Sequence, residues 1–126
     1  MNLTVVLDHT ALIGLFRGEE FFTSLYVEAS HRRGHIIAPA LSILTAERET
    51  PGAGTHAASR PFMTIAPFET ANLRDSLTWP TTVPWAVVHP AALHWQALSQ
   101  GETLHVISTA PELYAGTGVS PLNPYA

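Results

Sequence analysis

The sequence has no cysteine and no lysine, and only two of its ten acidic residues, Asp8 and Asp75, are aspartates. The absence of cysteine excludes disulfide scaffolds, thiolate zinc sites and thiol nucleophiles. All six basic residues are arginines and the formal net charge is −4, which disfavours a protein that coats nucleic acid through many phosphate contacts. The composition still allows a short, local basic patch.

Long apolar runs are also missing. No run reaches the roughly 18 residues that a membrane span needs, and the N-terminal stretch MNLTVVLDHT carries an acid where a signal peptide has a basic segment. Hydrophobic residues make up 46% of the chain and charged residues 13%, the opposite of the composition of disordered proteins. With 126 residues, one core is plausible and two are not. We therefore expect a single cytoplasmic domain, 1–126, that folds alone or with a copy of itself.

Short apolar segments alternate with helical patterns along the chain. The predicted strands are Leu3–Leu7, His35–Ala38, Phe62–Ala66 and Leu104–Ile107, with a possible last strand at Val119–Leu122. The predicted helices are Ala11–Phe16, about Glu19–Arg33, a helix from Pro39 or Ser42 through Glu47, Glu69–Leu77, Val87–Ser99 and a short turn at Pro111–Tyr114. The segment Thr50–Pro61 is rich in Gly, Ala, Pro and Thr without a period and is expected to be a mobile surface loop. This alternation predicts an α/β fold with a mainly parallel sheet, whose sites form at the carboxyl ends of the strands.

Asp8 directly follows the first predicted strand and precedes the first predicted helix, for which Thr10 is a candidate cap. A carboxylate in this position has two common roles. It caps the next helix, or it holds a hard divalent cation. The residues around Asp8 leave both roles open.

Three stretches, VVLDHTALIGLFRGEE, IIAPALSILTAERE and VISTAPELYAG, follow one another in the chain. Together they resemble the PIN-domain family of metal-dependent nucleases, which includes toxins of bacterial toxin–antitoxin pairs. The resemblance implies a three-layer α/β/α domain that cuts single-stranded RNA with Mg²⁺ or Mn²⁺ held by acidic side chains. It maps the family's first aspartate and the following hydroxyl onto Asp8 and Thr10, and the glutamate of the third helix onto Glu47, preceded by Pro39 and Ser42. Acids suit this chemistry because hard cations bind carboxylate oxygens and activate water.

Two other acidic positions of the family are not acidic in this chain. The position that opens the penultimate helix holds His89, and the position after the next strand falls on Ala110 or Pro111. Losing two carboxylates lowers the affinity for Mg²⁺, because that ion is bound through oxygen. His89 has a nitrogen that can bind Mn²⁺, and Glu112 lies one or two positions past the missing acid.

The spacing of other acids and histidines does not indicate a further metal site. Glu49 shares a predicted helix with Glu47, but a separation of two residues directs the two side chains differently. His89 and His94 are five residues apart and diverge on a helix. Without thiols or an HExxH spacing, no structural zinc site is expected.

Three functions remain. The leading interpretation is a PIN-like protein whose acid site is reduced to Asp8 and Glu47, with weak or no nuclease activity, and which acts as a homodimeric regulatory or interaction module. The second is a toxin-like endoribonuclease that acts on single-stranded RNA, with Asp8 and Glu47 binding Mg²⁺ or Mn²⁺ and His89 or Glu112 completing the ligand set. The third is a structural subunit whose apolar surface binds a partner helix, as an antitoxin binds toxins of this family. None of the three involves a membrane.

Overall fold

The structure is a computed structural model that describes residues 3–126. The strands are β1 Thr4–Leu7, β2 His35–Pro39, β3 Met63–Ala66 and β4 His105–Ile107. They form one all-parallel sheet in the order β3–β2–β1–β4. The α-helices are α1 His9–Phe16, α2 Glu20–Ser30, α3 Ala40–Glu49, α4 Ala53–Ala58, α5 Thr70–Ser76 and α6 Val88–Ser99, with 3-10 turns at Trp85–Val87 and Pro111–Tyr114. The predicted α/β class with a parallel sheet is confirmed.

Successive residues of β1 face opposite sides of the sheet. Val5 and Leu7 pack in one apolar core, which receives side chains from α1, α2, α3 and α4. Val6 packs in a second core, with Ala91 of α6 and Tyr114. Because a parallel strand is buried on both faces, β1 is a continuous apolar run in the sequence. The sheet therefore forms the middle layer, and the ends of β1 and β4 lie side by side at one edge.

The prediction of a mobile loop over residues 50–61 was wrong, because this segment contains α4. Ala53 and Ala57 of α4 are 0% and 2% exposed and belong to the first core. The small side chains of α4 allow it to pack closely on α3. The same small side chains give the segment no recognisable helical pattern in the sequence. Sequence periodicity relies on a contrast between large apolar and polar residues, and this segment has little of it.

The other differences from the predicted elements are smaller. Helix α2 ends at Ser30 and not near Arg33, because Arg32 adopts a left-handed backbone with φ 60°. The possible last strand is reduced to a single parallel bridge between Leu122 and Ile107. In the described part of the chain, no helix combines the length and the apolar character needed to cross a membrane.

Gly54→Ala is expected to destabilise the protein by about 1–3 kcal/mol, because it overpacks the contact between α3 and α4. A Cβ atom at Gly54 would lie 2.5 Å from the carbonyl oxygen of Ile43 and 2.6 Å from Cβ of Glu47. Urea unfolding measures the change. Ala58→Gly, at an exposed position of the same helix, is the control and should cost about 1 kcal/mol or less. A Gly54→Ala variant as stable as the parent would contradict this close approach.

Candidate functional site

Asp8 lies at the carboxyl end of β1 and is 0% exposed. Its Oδ1 accepts hydrogen bonds from the hydroxyl of Thr10 at 2.6 Å and from the backbone N–H of Ala11 at 3.1 Å. Its Oδ2 accepts a hydrogen bond from the hydroxyl of Tyr114 at 2.8 Å. Asp8 is thus the N-cap of α1, one of the two roles that the sequence left open. The prediction that Thr10 caps this helix was wrong. The Asp8 carboxylate accepts the hydrogen bond from the N–H of Ala11, and the Thr10 hydroxyl donates to that carboxylate.

Tyr114 is the member of the site that sequence reasoning missed. It is 1% exposed and packs in the second core, so its hydroxyl approaches Asp8 from the opposite layer to α1. Burial raises the pKa of Tyr114 far above its ordinary value, and the charge and hydrogen bond of Asp8 raise it further. The hydroxyl therefore stays protonated and acts as a donor. Its only signal in the sequence is its position two residues after Glu112, in STAPELY.

A chain of hydroxyl groups joins the ends of β1 and β4. The Thr10 hydroxyl accepts a hydrogen bond from the N–H of Thr109 at 2.9 Å and lies 3.3 Å from Oγ of Ser108. Ser108 Oγ in turn accepts a hydrogen bond from the N–H of Ala110 at 3.0 Å. Ala110, one of the two residues that the PIN resemblance places at an acidic position, contributes a backbone amide to this network.

Glu47 lies on α3, and its carboxylate lies at the N-terminus of α4. Its Oε2 accepts a hydrogen bond from the N–H of Gly52 at 2.8 Å, and its Oε1 accepts from the N–H and the hydroxyl of Thr55 at 2.9 and 3.2 Å. The amide of Gly52, followed by that of Thr55, lowers the pKa of Glu47 below its ordinary value. Glu47 therefore satisfies the free amides at the start of α4. Asp8 and Glu47 share none of these partners.

His89 is 0% exposed and lies in the first turn of α6. Its Nδ1 accepts a hydrogen bond from the N–H of Leu41 at 3.2 Å, and its Nε2 lies 3.1 Å from the carbonyl oxygen of Pro67. Because Nδ1 accepts, the proton is assigned to Nε2, which donates to Pro67. Burial lowers the pKa of His89 to about 4, against the opposing effect of the Pro67 hydrogen bond. Both ring nitrogens thus connect α6 to the start of α3 and to the segment before α5.

The remaining acidic candidates lie nearer the surface. Glu112 is exposed on the 3-10 turn after β4. Glu49 shares no hydrogen-bond partner with Glu47 and borders a cavity that Thr10 also lines. Its carboxylate lies 3.5 Å from Nε2 of the buried His9. Within residues 3–126, no three His, Asp or Glu side chains lie close enough together to bind one metal ion.

Glu47→Gln is expected to loosen α4, because the charged acceptor of the Gly52 and Thr55 amides is lost. Hydrogen exchange measures this as faster exchange of those two amides. Since the pKa of Glu47 is lowered on folding, the same loosening should occur in the parent protein as the pH falls through that pKa. Glu49→Gln, on the same helix, is the matched control and should leave both amides protected. Equal exchange in the two variants would contradict the capping role of Glu47.

The site thus consists of a buried aspartate between two layers, a glutamate that caps α4 and a histidine buried between α6 and α3. Comparison of the sequence with models of known protein families gives no match, and comparison with curated proteins gives no significant match. The resemblance to PIN domains stays a prediction from the three sequence stretches.

Proposed function

We propose that the protein is a PIN-like regulatory or interaction module with weak or no nuclease activity. The buried Asp8 carboxylate carries this proposal, because it accepts hydrogen bonds from Thr10, Ala11 and Tyr114. Three donors occupy three of the roughly four lone-pair sites of this fully buried carboxylate, so a metal ion bound at Asp8 would compete with them. Leaving the buried Tyr114 hydroxyl without a partner costs roughly 1–3 kcal/mol, which weakens any metal binding that requires it.

The other candidate ligands support the same proposal. Glu47 accepts hydrogen bonds from two backbone amides and the Thr55 hydroxyl at the start of α4, so a metal ion bound there would compete with these donors. His89 uses both ring nitrogens in hydrogen bonds, to Leu41 and Pro67. In an endoribonuclease site built from these residues, a metal ion would therefore compete with existing hydrogen bonds at Asp8, Glu47 and His89.

A metal titration with a parallel RNA cleavage assay tests the proposal. Calorimetry with MnCl₂ and MgCl₂ is expected to show no binding tighter than about 1 mM, the weak end of protein sites for hard cations. Cleavage of single-stranded RNA should not exceed that of Asp8→Asn. Tighter metal binding that Asp8→Asn abolishes, together with cleavage that Glu47→Gln abolishes, would instead establish the endoribonuclease.

The proposed module has an exposed apolar stripe at the end of α5. Leu73 of α5 and Leu77, the C-cap residue that follows it, are 46% and 73% exposed and lie four residues apart, on the same side of the helix. We propose that a second copy of the chain covers this stripe. Light scattering after gel filtration should give a dimer for the parent and a monomer for Leu73→Ser/Leu77→Ser, with Leu98→Ser on α6 as the control. A parent that is monomeric at all concentrations would overturn the homodimer and favour an antitoxin-like partner helix.

A further inference from the structure

A polar cavity of about 360 Å³ opens at the edge of the sheet where β1 and β4 end. Five of its six lining residues have polar or charged side chains, and the sixth provides an apolar wall; they are Thr10, Ile13, Arg17, Glu49, Thr50 and Thr109. Parallel α/β sheets bind ligands in crevices at this edge. The volume is in the range of small-molecule sites.

Two opposite charges border the cavity without neutralising each other. Arg17 follows the last residue of α1, and no carboxylate in residues 3–126 lies within 4 Å of its guanidinium. Glu49 comes from the end of α3, and 54% of its side chain is exposed. Its closest basic group is Nε2 of His9, at 3.5 Å. An unpaired cation and an accessible anion therefore face one space.

Two further threonines complete the lining. Thr50 and Thr109 are half-buried, and their hydroxyls make no hydrogen bond within the described residues 3–126. Thr10, by contrast, is already engaged by Asp8 and by the amide of Thr109. The free hydroxyls can each donate or accept. They can serve either end of a ligand that carries both charges.

We propose that this cavity binds a small zwitterion of the amino-acid class. The ligand carboxylate pairs with the planar guanidinium of Arg17, which matches a carboxylate in a two-point contact. The ligand ammonium group pairs with Glu49, and Thr50 and Thr109 hydrogen-bond to either group. Because Ile13 is the single apolar wall, the ligand side chain is short. Ligand binding at this cavity does not depend on whether Asp8 binds metal. This proposal can therefore fail or hold independently of the proposed function.

Titration of the ¹⁵N-labelled full chain with L-alanine, followed by amide chemical shifts, tests this assignment. Saturable shifts are expected at the amides of Thr10, Thr50 and Thr109. Acetate and ethylamine, which each carry only one of the two charges, should bind about tenfold more weakly than L-alanine, because each forms one of the two charged contacts.

Arg17→Gln and Glu49→Gln should each weaken the binding of L-alanine by about tenfold, since each removes one charged contact. Both residues are accessible, and the dispersion of each variant's spectrum shows directly that it folds. Arg17→Lys keeps the positive charge but lacks the planar guanidinium that contacts a carboxylate at two points. Its affinity for L-alanine should lie between those of the parent and Arg17→Gln. The assignment is overturned if L-alanine gives no saturable shift, if acetate alone binds as tightly, or if both glutamine variants bind like the parent.

Discussion

Asp8→Ala is expected to lower the free energy of unfolding by about 3–5 kcal/mol. Losses of this size are typical when a substitution breaks a buried hydrogen-bond network. The substitution leaves three donors without their acceptor: the hydroxyls of Thr10 and Tyr114 and the N–H of Ala11. It also removes the N-cap of α1. Urea unfolding at neutral pH measures the loss as a lower midpoint at an unchanged slope.

Two further variants make this result specific. Tyr114→Phe removes one donor and keeps the ring in the second core, so it should cost about 1–3 kcal/mol. Asp75→Ala changes the other aspartate of the chain, which makes no side-chain hydrogen bond within residues 3–126, and should change the stability by less than about 0.5 kcal/mol. An Asp8→Ala variant that is as stable as the parent, or more stable, would contradict the structural role. A gain in stability is the result expected when a carboxylate is kept for function at the expense of folding.

Lowering the pH from about 6.5 to about 4 is expected to remove roughly 3 kcal/mol of stability through His89 alone. The pKa of His89 is lowered on folding to about 4, so the unfolded chain binds a proton in this range that the folded protein does not. The stability from neutral His89 is therefore fully present above its unfolded pKa and decreases as the pH falls toward its folded pKa. Protonation of Nδ1 also removes the acceptor for the N–H of Leu41.

Comparison with His89→Gln isolates this contribution. Glutamine can both accept and donate a hydrogen bond but does not titrate, so the variant should lose the steep part of the pH dependence between pH 6.5 and 4. His94→Gln, at a half-buried position on the same helix, is the matched control for the substitution itself. If the stabilities of parent and His89→Gln change in parallel with pH, His89 is not the titrating group. Urea midpoints at several pH values provide the measurement.

Local sequence patterns were sufficient to predict the parallel sheet and the position of Asp8 at the end of its first strand. The apolar run of β1 and the hydroxyl that follows Asp8 are contiguous in the chain, and contiguous residues are what periodicity and capping rules describe. The same rules missed α4, since Ala53, Gly54 and Ala57 carry too little hydrophobic contrast. The partner of Glu47 was missed for the same reason, because a segment taken as a loop offers no helix N-terminus to cap.

The order of polar and apolar residues in the chain was enough to predict the α/β class and a carboxylate at the end of its first strand. Tertiary structure decided which hydrogen-bond donors the carboxylates of Asp8 and Glu47 meet. Tyr114 is 106 residues from Asp8 and reaches it from the opposite layer. The backbone N–H of Leu41, which donates a hydrogen bond to His89, lies 48 residues away on α3. No local rule contains such pairings, because burial and hydrogen-bond partners depend on which segments the fold brings together. The sequence pattern of an acid at the end of a strand does not distinguish a carboxylate that faces a metal ion from one that, as here, faces hydrogen-bond donors of its own chain.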